Sequence, residues 1–346
     1  MTNLTQASRQ LFRRPPDERF ASLQELLEHA LSFKNRSKNV QESSARFHIQ
    51  HRAGAIALQL NGAAPCTLND WSFAQLCSLV SASKDTVNRL RADTAVRVCR
   101  ELLEQRNAEA LSLQALVLDD RHIRAVNGAT YTRLWNADLL AMLVEFATDF
   151  TPPPKGFNGA TGLYAGEQDM FCFMIDPTCW VEIQGEAFAP GFFVWNSEVG
   201  RRTVGIATFW FQQVCQNHIV WDAIEFKEFT RKHTGQVHDS MKTIRGIIEA
   251  LVKKRDERKD RFAAVIKKAM ETKYANDGEE TLKLLTTTGF SRLLAKKALE
   301  LAREKGRFTI WAVVDALTQL AREHKHAGTR ADADHRAARL LEMAAA

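Results

Sequence analysis

Apolar spacing changes character several times along the chain. Residues 1–20 are polar and close on Arg13-Arg14-Pro15-Pro16, which reads as a mobile arm. From Ser22 onward, Leu23, Leu26, Leu27, Ala30 and Leu31 follow helical spacing, and Ser22 with Glu25 forms a capping box. A basic, polar stretch from Lys34 to Arg46 leads into the alternating run Phe47 to Leu60. That run predicts one or two strands ending at the turn Asn61-Gly62. Residues 67–110 read as helical. Thr67-Leu68-Asn69-Asp70 offers caps, Phe73, Leu76, Cys77 and Val80 form a stripe, and a long helix runs from Ala92 to Gln105. Leu111 to Leu118 is strand-like, Arg121 to Tyr131 turns at Asn127-Gly128, and Asn136 opens a helix over Ala137 to Phe146.

Thr151-Pro152-Pro153-Pro154-Lys155-Gly156 breaks that pattern and marks a loop over 151–160. Beyond it come short β-type runs: Leu163-Tyr164, Met170 to Ile175, Val181 to Gln184 and Gly191 to Trp195. Val204 to Trp221 is apolar and aromatic, and is expected to be a strand followed by a buried helix. From Phe229 to the end the stripes are helical, for example Ile244, Ile247, Ile248, Leu251 and Val252. No fixed-period repeat occurs. The pattern predicts an α+β fold in three parts: a flexible arm over 1–20, an α+β core over 21–226 with a β-rich centre, and a helical region over 227–346.

Composition fits this picture. Of 346 residues, 45% are hydrophobic and 25% charged, which excludes a disordered or collagen-like chain. The charge is unevenly placed. Residues 1–226 hold 21 Lys/Arg against 24 Asp/Glu, net −3, whereas residues 227–346 hold 26 against 17, net +9. A basic face is the footprint of an anionic partner, most often nucleic acid. The cysteines, Cys66, Cys77, Cys99, Cys172, Cys179 and Cys215, form no C-x-x-C pair. With no apolar leader near Met1 and no apolar run long enough for a membrane span, free thiols in the cytoplasm and no membrane partner are expected.

Two basic groups stand out. Lys253-Lys254-Arg255-Asp256-Glu257-Arg258-Lys259-Asp260-Arg261 lies in a helical stretch, with Lys254, Arg258 and Arg261 on one face. The row suits phosphate contacts, but Asp256, Glu257 and Asp260 are placed to pair with it. A second group comprises Arg292, Lys296, Lys297, Lys305 and Arg307. Phe192, Phe193, Trp195, Phe209, Trp210, Phe211 and Trp221 crowd into 30 residues. Single-strand binders stack bases on such rings beside a basic groove. Alternation puts Phe193 and Trp195 on one strand face and Phe192 and Val194 on the other, so both faces are apolar and burial is the simpler reading.

The sharpest strings are Trp195-Asn196-Ser197-Glu198-Val199-Gly200 and Phe209-Trp210-Phe211-Gln212-Gln213-Val214-Cys215-Gln216-Asn217-His218. They resemble the phage/plasmid-like protein family known as a domain of unknown function, the "932" family. Its members carry Asn-Ser-Glu-x-Gly, an apolar stretch, and then an Arg-x-x-Cys-x-Asn-Gly-like string. The first half matches at Asn196, Ser197, Glu198 and Gly200, and the second at Cys215 and Asn217. The chain departs at Gln212, Gln213 and His218. Tyr131-x-x-Leu134-Trp135-Asn136, Arg231 to Gly235 and Thr309 to Thr318 resemble further landmarks, so the resemblance covers roughly residues 20–345. It implies a mobile-element origin and assigns no activity.

A serine beside a glutamate lacks the positioned base a nucleophile needs. Residues 196–200 therefore read as a turn, with Gly200 at positive φ, or as a binding loop. Cys215-x-x-His218 and His233-x4-His238 have ligand-like spacing, with Cys172 and Cys179 as further donors, but no knuckle completes a zinc site. Asp119-Asp120 and Glu279-Glu280 read as solvated carboxylates. Phosphate-loop, dinucleotide-binding and metalloprotease strings are absent. The expectation is a nucleic-acid-binding protein of a mobile element that favours single-stranded DNA, with annealing as the specific role. Lys253, Lys254, Arg255, Arg258, Arg261, Arg201, Arg202 and Trp195 are the candidate contacts. No catalytic residue, cofactor or metal is assigned, and a homo-oligomer is compatible. The alternatives are an anti-defence or other protein-interaction role, and a metal-dependent enzyme using Cys215, His218, His233 and His238.

Overall fold

The computed structural model describes residues 10–52, 54–106, 110–156, 160–213, 217–219, 229–304 and 308–345. In chain order the first half comprises β1 (Glu18–Arg19), α1 (Leu23–Arg36), β2 (Ser37–Ser43), β3 (His48–Arg52), β4 (Ala55–Gln59) and β5 (Cys66–Leu68). It continues through α2 (Asp70–Leu79), α3 (Lys84–Val87), α4 (Ala92–Arg106), β6 (Ser112–Leu118), β7 (His122–Gly128) and α5 (Asn136–Phe146). Next come β8 (Leu163–Ala165), β9 (Met170–Ile175), β10 (Val181–Ile183), β11 (Glu186–Asn196), β12 (Val204–Gln212), β13 (Asn217–Ile219) and β14 (Phe229–Arg231). The C-terminal helices are α6 (Asp239–Lys253), α7 (Arg255–Glu271), α8 (Gly278–Thr287), α9 (Arg292–Glu304), α10 (Ile310–Ala321), α11 (Ala327–Ala338) and α12 (Glu342–Ala345). The fold is α+β.

Two sheets organise it. A six-stranded sheet has the order β2-β6-β7-β5-β4-β3 and is antiparallel except for the β5–β7 pair. An eight-stranded sheet runs β1-β8-β9-β11-β12-β13, with β10 also on β11 and β14 also on β12. Its heart is the β11–β12 hairpin, in register from Phe188↔Gln212 to Trp195↔Gly205. The β10–β11 hairpin closes through Gln184 and Gly185, both at positive φ, as a tight primed turn requires.

Alternation assigns the core. Phe192 and Val194 of β11 pack with Met170, Cys172 and Ile206 against α1, α5 and α6. Phe193 and Trp195 face the other way, with Phe171, Phe173 and Phe209, and meet Ala327 and Ala331 of α11. Trp210 stacks on Phe262 of α7 with centroids 3.8 Å apart. α2 and α4 cover the six-stranded sheet through Phe73, Leu76, Ala95 and Cys99.

Local signals placed several elements well. Ser22 Oγ accepts from Glu25 N at 3.1 Å and starts α1. The Glu25 carboxylate reaches back to Ala21 N at 2.8 Å, one residue earlier than the ideal capping box. Asn69 and Ser72 form a reciprocal box at α2.

Other expectations are corrected. Residues 10–20 are docked and do not form a mobile arm. Phe12 is buried and stacks on Phe73 at 4.4 Å, and Asn88 exchanges hydrogen bonds with its backbone. Arg14 pairs with Asp169 at 2.8 Å, and Asp17 accepts from Ala327 N at 2.8 Å. A proline-containing polar string conceals this strap because its partners lie far off in sequence. Ser37–Ser43 form strand β2, whose polar residues suit its half-exposed edge position. The buried helix expected after Val204 is absent among the described residues: β12 is followed by β13, because all nine β12 residues are buried between layers and alternation carries no polar phase. Phe229–Arg231 is a strand, and the helices begin at Asp239. Trp221 and Cys215 lie outside the described residues. Cys66, Cys77, Cys99, Cys172 and Cys179 are free and buried. No helix among the described residues is long and apolar enough to cross a membrane.

Candidate functional site

The turn between β11 and β12 joins both sheets and separates two cavities. Asn196 Nδ2 donates to Leu134 O and to Asn136 Oδ1, both at 2.8 Å. Ser197 Oγ donates to Gln168 O at 2.6 Å and accepts from Arg201 N at 2.8 Å. Glu198 Oε1 accepts from Asn136 N at 2.9 Å, at the start of α5, where a carboxylate meets the positive end of the helix. Its Oε2 lies 3.0 Å from Arg124 Nη2 on β7. Val199 O accepts from Trp71 Nε1, Gln75 Nε2 and Asn127 Nδ2, and Ser197 O accepts from Tyr131 Oη. Gly200 has φ +82°, and a Cβ there would stand 2.8 Å from Asn127 Nδ2. Asn196, Ser197 and Glu198 are at most 2% exposed. Of the two sequence readings, the structural turn gives the buried side-chain polar atoms of Asn196, Ser197 and Glu198 hydrogen-bond or ion-pair partners, except Asn196 Oδ1.

Around the turn lies a buried polar group set. Tyr131 stacks on His233 with centroids 5.1 Å apart. Burial pushes the Tyr131 hydroxyl well up and holds the His233 imidazole down at about 4, so the ring is neutral near pH 7. Burial also lowers Arg133 to about 10. Its guanidinium lies over Tyr131 and Trp135, and its Nη2 donates to Asn39 Oδ1 at 3.0 Å.

The first cavity, about 390 Å³, opens on the α11 side of the eight-stranded sheet. Its floor is aromatic: Phe171, Phe193 and Trp195, with Phe193 and Trp195 centroids 5.1 Å apart. The Trp195 indole lies across Gly205, where a Cβ would come within 2.3 Å of the ring. Arg202 flanks the floor, with its guanidinium 5.5 Å from the Phe171 centroid. It is held by Asp169 at 3.1 Å and by the two oxygens of Asp332 at 3.1 and 2.8 Å. His335, Arg336 and Arg339 of α11 and the turn after it form the rim. Arg336 and Arg339 are exposed and have no ion-pair partner among the described residues. Together these groups make a basic rim beside rings that are largely buried, Phe171, Phe193 and Trp195 being 2%, 6% and 7% exposed, an arrangement suited to an anionic ligand.

The second cavity, about 270 Å³, lies between the two sheets beneath α1. Glu198 and Arg124 form part of its wall. Burial and the nearby Asp70 charge push the Glu167 carboxyl on its rim up to about 7.

The structure thus brings Trp195 and Arg202 together and leaves the other candidates apart. Arg201 is exposed on the far side of the turn, 5.6 Å from the Trp71 ring. Arg255 pairs with Asp176 at 2.6 Å and Asp149 at 3.6 Å, and Arg261 with Glu257 at 3.7 Å. Lys253, Lys254 and Arg258 share that stretch, and none of the row lines either cavity. Interleaved acids already engage part of it. Asn217 pairs in register with Gln212, and His218 with Phe211. Among the described residues, no three His, Cys, Asp or Glu side chains cluster to hold a metal ion. Sequence reasoning missed Arg336, Arg339, Arg124 and Glu167. The three-residue spacing of Arg336 and Arg339 was the available signal for the first pair.

The fold and the buried turn define a two-sheet α+β protein whose Asn-Ser-Glu hairpin is its structural joint. The family described as Domain of unknown function (DUF932) matches residues 125–344, well over half the chain, and the protein belongs to it. No curated protein and no solved structure matches the chain.

Proposed function

We propose that the protein binds single-stranded nucleic acid along the aromatic cleft beside α11, as a binding or annealing protein of a phage, plasmid or integrated element. The observation that carries this reading is the pairing of an aromatic floor, Phe171, Phe193 and Trp195, with a rim of Arg336, Arg339 and His335. Stacking on aromatics contributes roughly 1–3 kcal/mol per base and tolerates any sequence. Phosphate contacts position the strand and release counterions. The mobile-element setting comes from the resemblance of the Asn196–Gly200 string. The basic excess of residues 227–346 agrees with an anionic partner.

The test is fluorescence anisotropy of labelled single-stranded and duplex DNA over a salt series. The expected result is preferential single-strand binding that weakens linearly in a log–log plot. Arg336→Gln/Arg339→Gln should flatten the slope. No binding at about 50 mM salt, well below the screening of physiological conditions, would overturn the reading.

A further inference from the structure

The helix pair α8 and α9 takes no part in the aromatic cleft. Thr288, Gly289, Phe290 and Ser291 join the two helices. α8 ends in a Schellman motif: Phe290 N donates to Leu285 O at 3.0 Å, and Gly289 N to Thr286 O at 3.2 Å. Gly289 takes φ +93°, the left-handed conformation that this cap requires. Phe290 then turns inward and is buried in one cluster with Leu285. Ser291 opens α9 at once. Its Oγ accepts from Leu294 N at 3.2 Å and its carbonyl from Ala295 N at 2.9 Å. Both helix ends are therefore pinned within one short turn, which sets the direction of the second helix against the first. Two helices joined by a three- or four-residue turn with a glycine are the frame of the helix-turn-helix.

α9 has two distinct sides. Ala295, Ala298 and Ala302 are buried with Phe290 and with Val313 and Leu317 of α10. Arg292, Leu293, Lys296, Lys297, Glu300 and Arg303 are exposed. At about 100° per residue these six fall within roughly 140° of arc, away from the alanines. Arg292 and Lys296 have no ion-pair partner among the described residues, and Lys297 lies 4.0 Å from the exposed Glu323, a pairing that contributes little. Leu293 is 69% exposed, the most exposed large apolar side chain among the described residues. Arg292 to Lys297 thus present three cations, a bare leucine and no acid. Glu300 comes one turn later. Glu279 and Glu280 lie in the first turn of α8, where Glu280 already accepts from Asn276 N and Nδ2 at 2.9 and 2.8 Å.

Charge calls for an anionic partner, and shape selects its form. The major groove of B-DNA is about 12 Å wide and admits an α-helix, whose first turns then reach the base edges while the preceding helix crosses the backbone. The major groove of duplex RNA is too deep and narrow to be read this way. A single strand offers no groove. A leucine exposed among cations has a partner in the thymine methyl of that groove, and none along a phosphate backbone.

We propose that α8 and α9 form a helix-turn-helix surface for double-stranded DNA, with Arg292, Leu293, Lys296 and Lys297 of α9 entering the major groove. The surface shares no residue with the aromatic cleft, so the inference goes beyond the single-strand reading and does not rest on it.

The test is anisotropy of the full chain with a labelled DNA duplex of about 20 base pairs, two helical turns, beside the RNA duplex and the single DNA strand of the same sequence. Protein is raised to about 100 μM at about 50 mM salt, since sequence-independent duplex binding lies at roughly 10⁻⁴–10⁻⁶ M. The DNA duplex should bind more tightly than the RNA duplex. Arg292→Gln/Lys296→Gln should weaken DNA-duplex binding at least about tenfold and leave single-strand binding unchanged. Leu293→Glu, which puts a carboxylate into the groove, should weaken it as much. Both variants change exposed side chains, so the fold is kept. Lys267→Gln/Lys268→Gln removes the same charge from exposed positions on α7 and should have a much smaller effect. No duplex binding overturns the proposal, as does equal binding of the RNA duplex. Equal losses in the α9 and α7 double variants also overturn it, because net charge alone would then explain the affinity. A chain that binds single strands but no duplex removes this proposal and leaves the cleft reading standing, and a chain that binds only duplex does the reverse.

Discussion

The two sheets bury their strands differently. In the six-stranded sheet the outer strands β2 and β3 bury one residue each, Glu42 and Ile49, and are otherwise half-buried or exposed. The central β6 and β7 are buried over five consecutive residues each. In the eight-stranded sheet, all six residues of β9 and all nine of β12 are buried. The difference follows from what lies on each face. α1, α5 and α6 cover one side of the eight-stranded sheet, and α11 covers the other. The six-stranded sheet has α2 and α4 on one side, and its other side meets the Val199 turn beside Leu116 and Ala125. The family match begins at residue 125, inside β7, so most of the six-stranded sheet precedes it. The comparison teaches that one five-residue turn, together with the strap of residues 10–20, couples a family-matched sheet to one mostly outside the match.

The largest expected effect comes from cutting that coupling. Glu198→Ala would leave Arg124 buried and unpaired and the Asn136 N–H without its acceptor. Breaking a buried ion pair by removing one partner costs about 3–5 kcal/mol. Urea denaturation of Glu198→Ala should show that loss and split unfolding into two transitions, one for each sheet. Glu182→Ala, at an exposed position on β10, should stay within about 0.5 kcal/mol of the parent. A loss below about 1 kcal/mol for Glu198→Ala would mean that the strap of residues 10–20, not the turn, holds the sheets together.

A matched pair of glycines sharpens the same comparison with a smaller effect. Gly200 and Gly185 have nearly equal dihedrals, φ +82° and +83°. A Cβ at Gly185 meets nothing within 4 Å, whereas at Gly200 it meets Asn127 Nδ2 at 2.8 Å and Tyr131 at 3.2 Å. Each alanine substitution carries the left-handed penalty of about 1–2 kcal/mol. Gly200→Ala should cost more by the price of displacing Asn127 and Tyr131. Equal losses in thermal melts would show that the joint yields freely.

These contrasts also explain what was legible in the chain. The α1 cap at Ser22, the α2 cap at Asn69 and the opposed faces of Phe192 and Phe193 could be read, because each depends on neighbours a few residues away. The turn at Gly200 was readable for the same reason. The strap was not: Arg14 meets Asp169, and Asp17 meets the start of α11, across more than 150 residues in each case. The β12–β13 strand pair was missed because full burial erases period-two alternation. The basic row at 253–261 was visible as a charge pattern, yet the acids that neutralise Arg255 sit at Asp149 and Asp176, in other elements. The rim arginines gave only a local spacing, and their place above Trp195 depends on how α11 packs.

A pH titration probes the joint from the side of His233. Its ordinary value is 6.5, and burial lowers it to about 4 in the folded chain. The unfolded chain therefore binds a proton first as pH falls. The stability associated with the neutral ring is complete above pH 6.5 and is lost progressively between pH 6.5 and about 4. His233→Phe keeps a ring on Tyr131 and removes the titration, so its stability curve should be flatter over that interval. A parallel acid loss in both proteins would place the sensitive group elsewhere.

The smallest effect on stability should come from the cleft rim, where the effect on binding is largest. Arg336 and Arg339 are exposed, so Arg336→Gln/Arg339→Gln should change stability by no more than about 0.5 kcal/mol. Each phosphate contact to a single strand contributes about 0.7 to the log–log salt slope, so losing two should reduce it by roughly 1.4. Lys254→Gln/Arg258→Gln changes formal charge by the same amount around the start of α7, away from the cleft. If net charge alone drew the strand to the protein, the two double variants would weaken binding alike. If the aromatic floor fixes where the strand lies, only the rim variant flattens the slope, because a condensed counterion is released only where a phosphate is held. Equal slopes in the two variants would therefore mean that net charge, and not the aromatic floor, draws the strand to the protein.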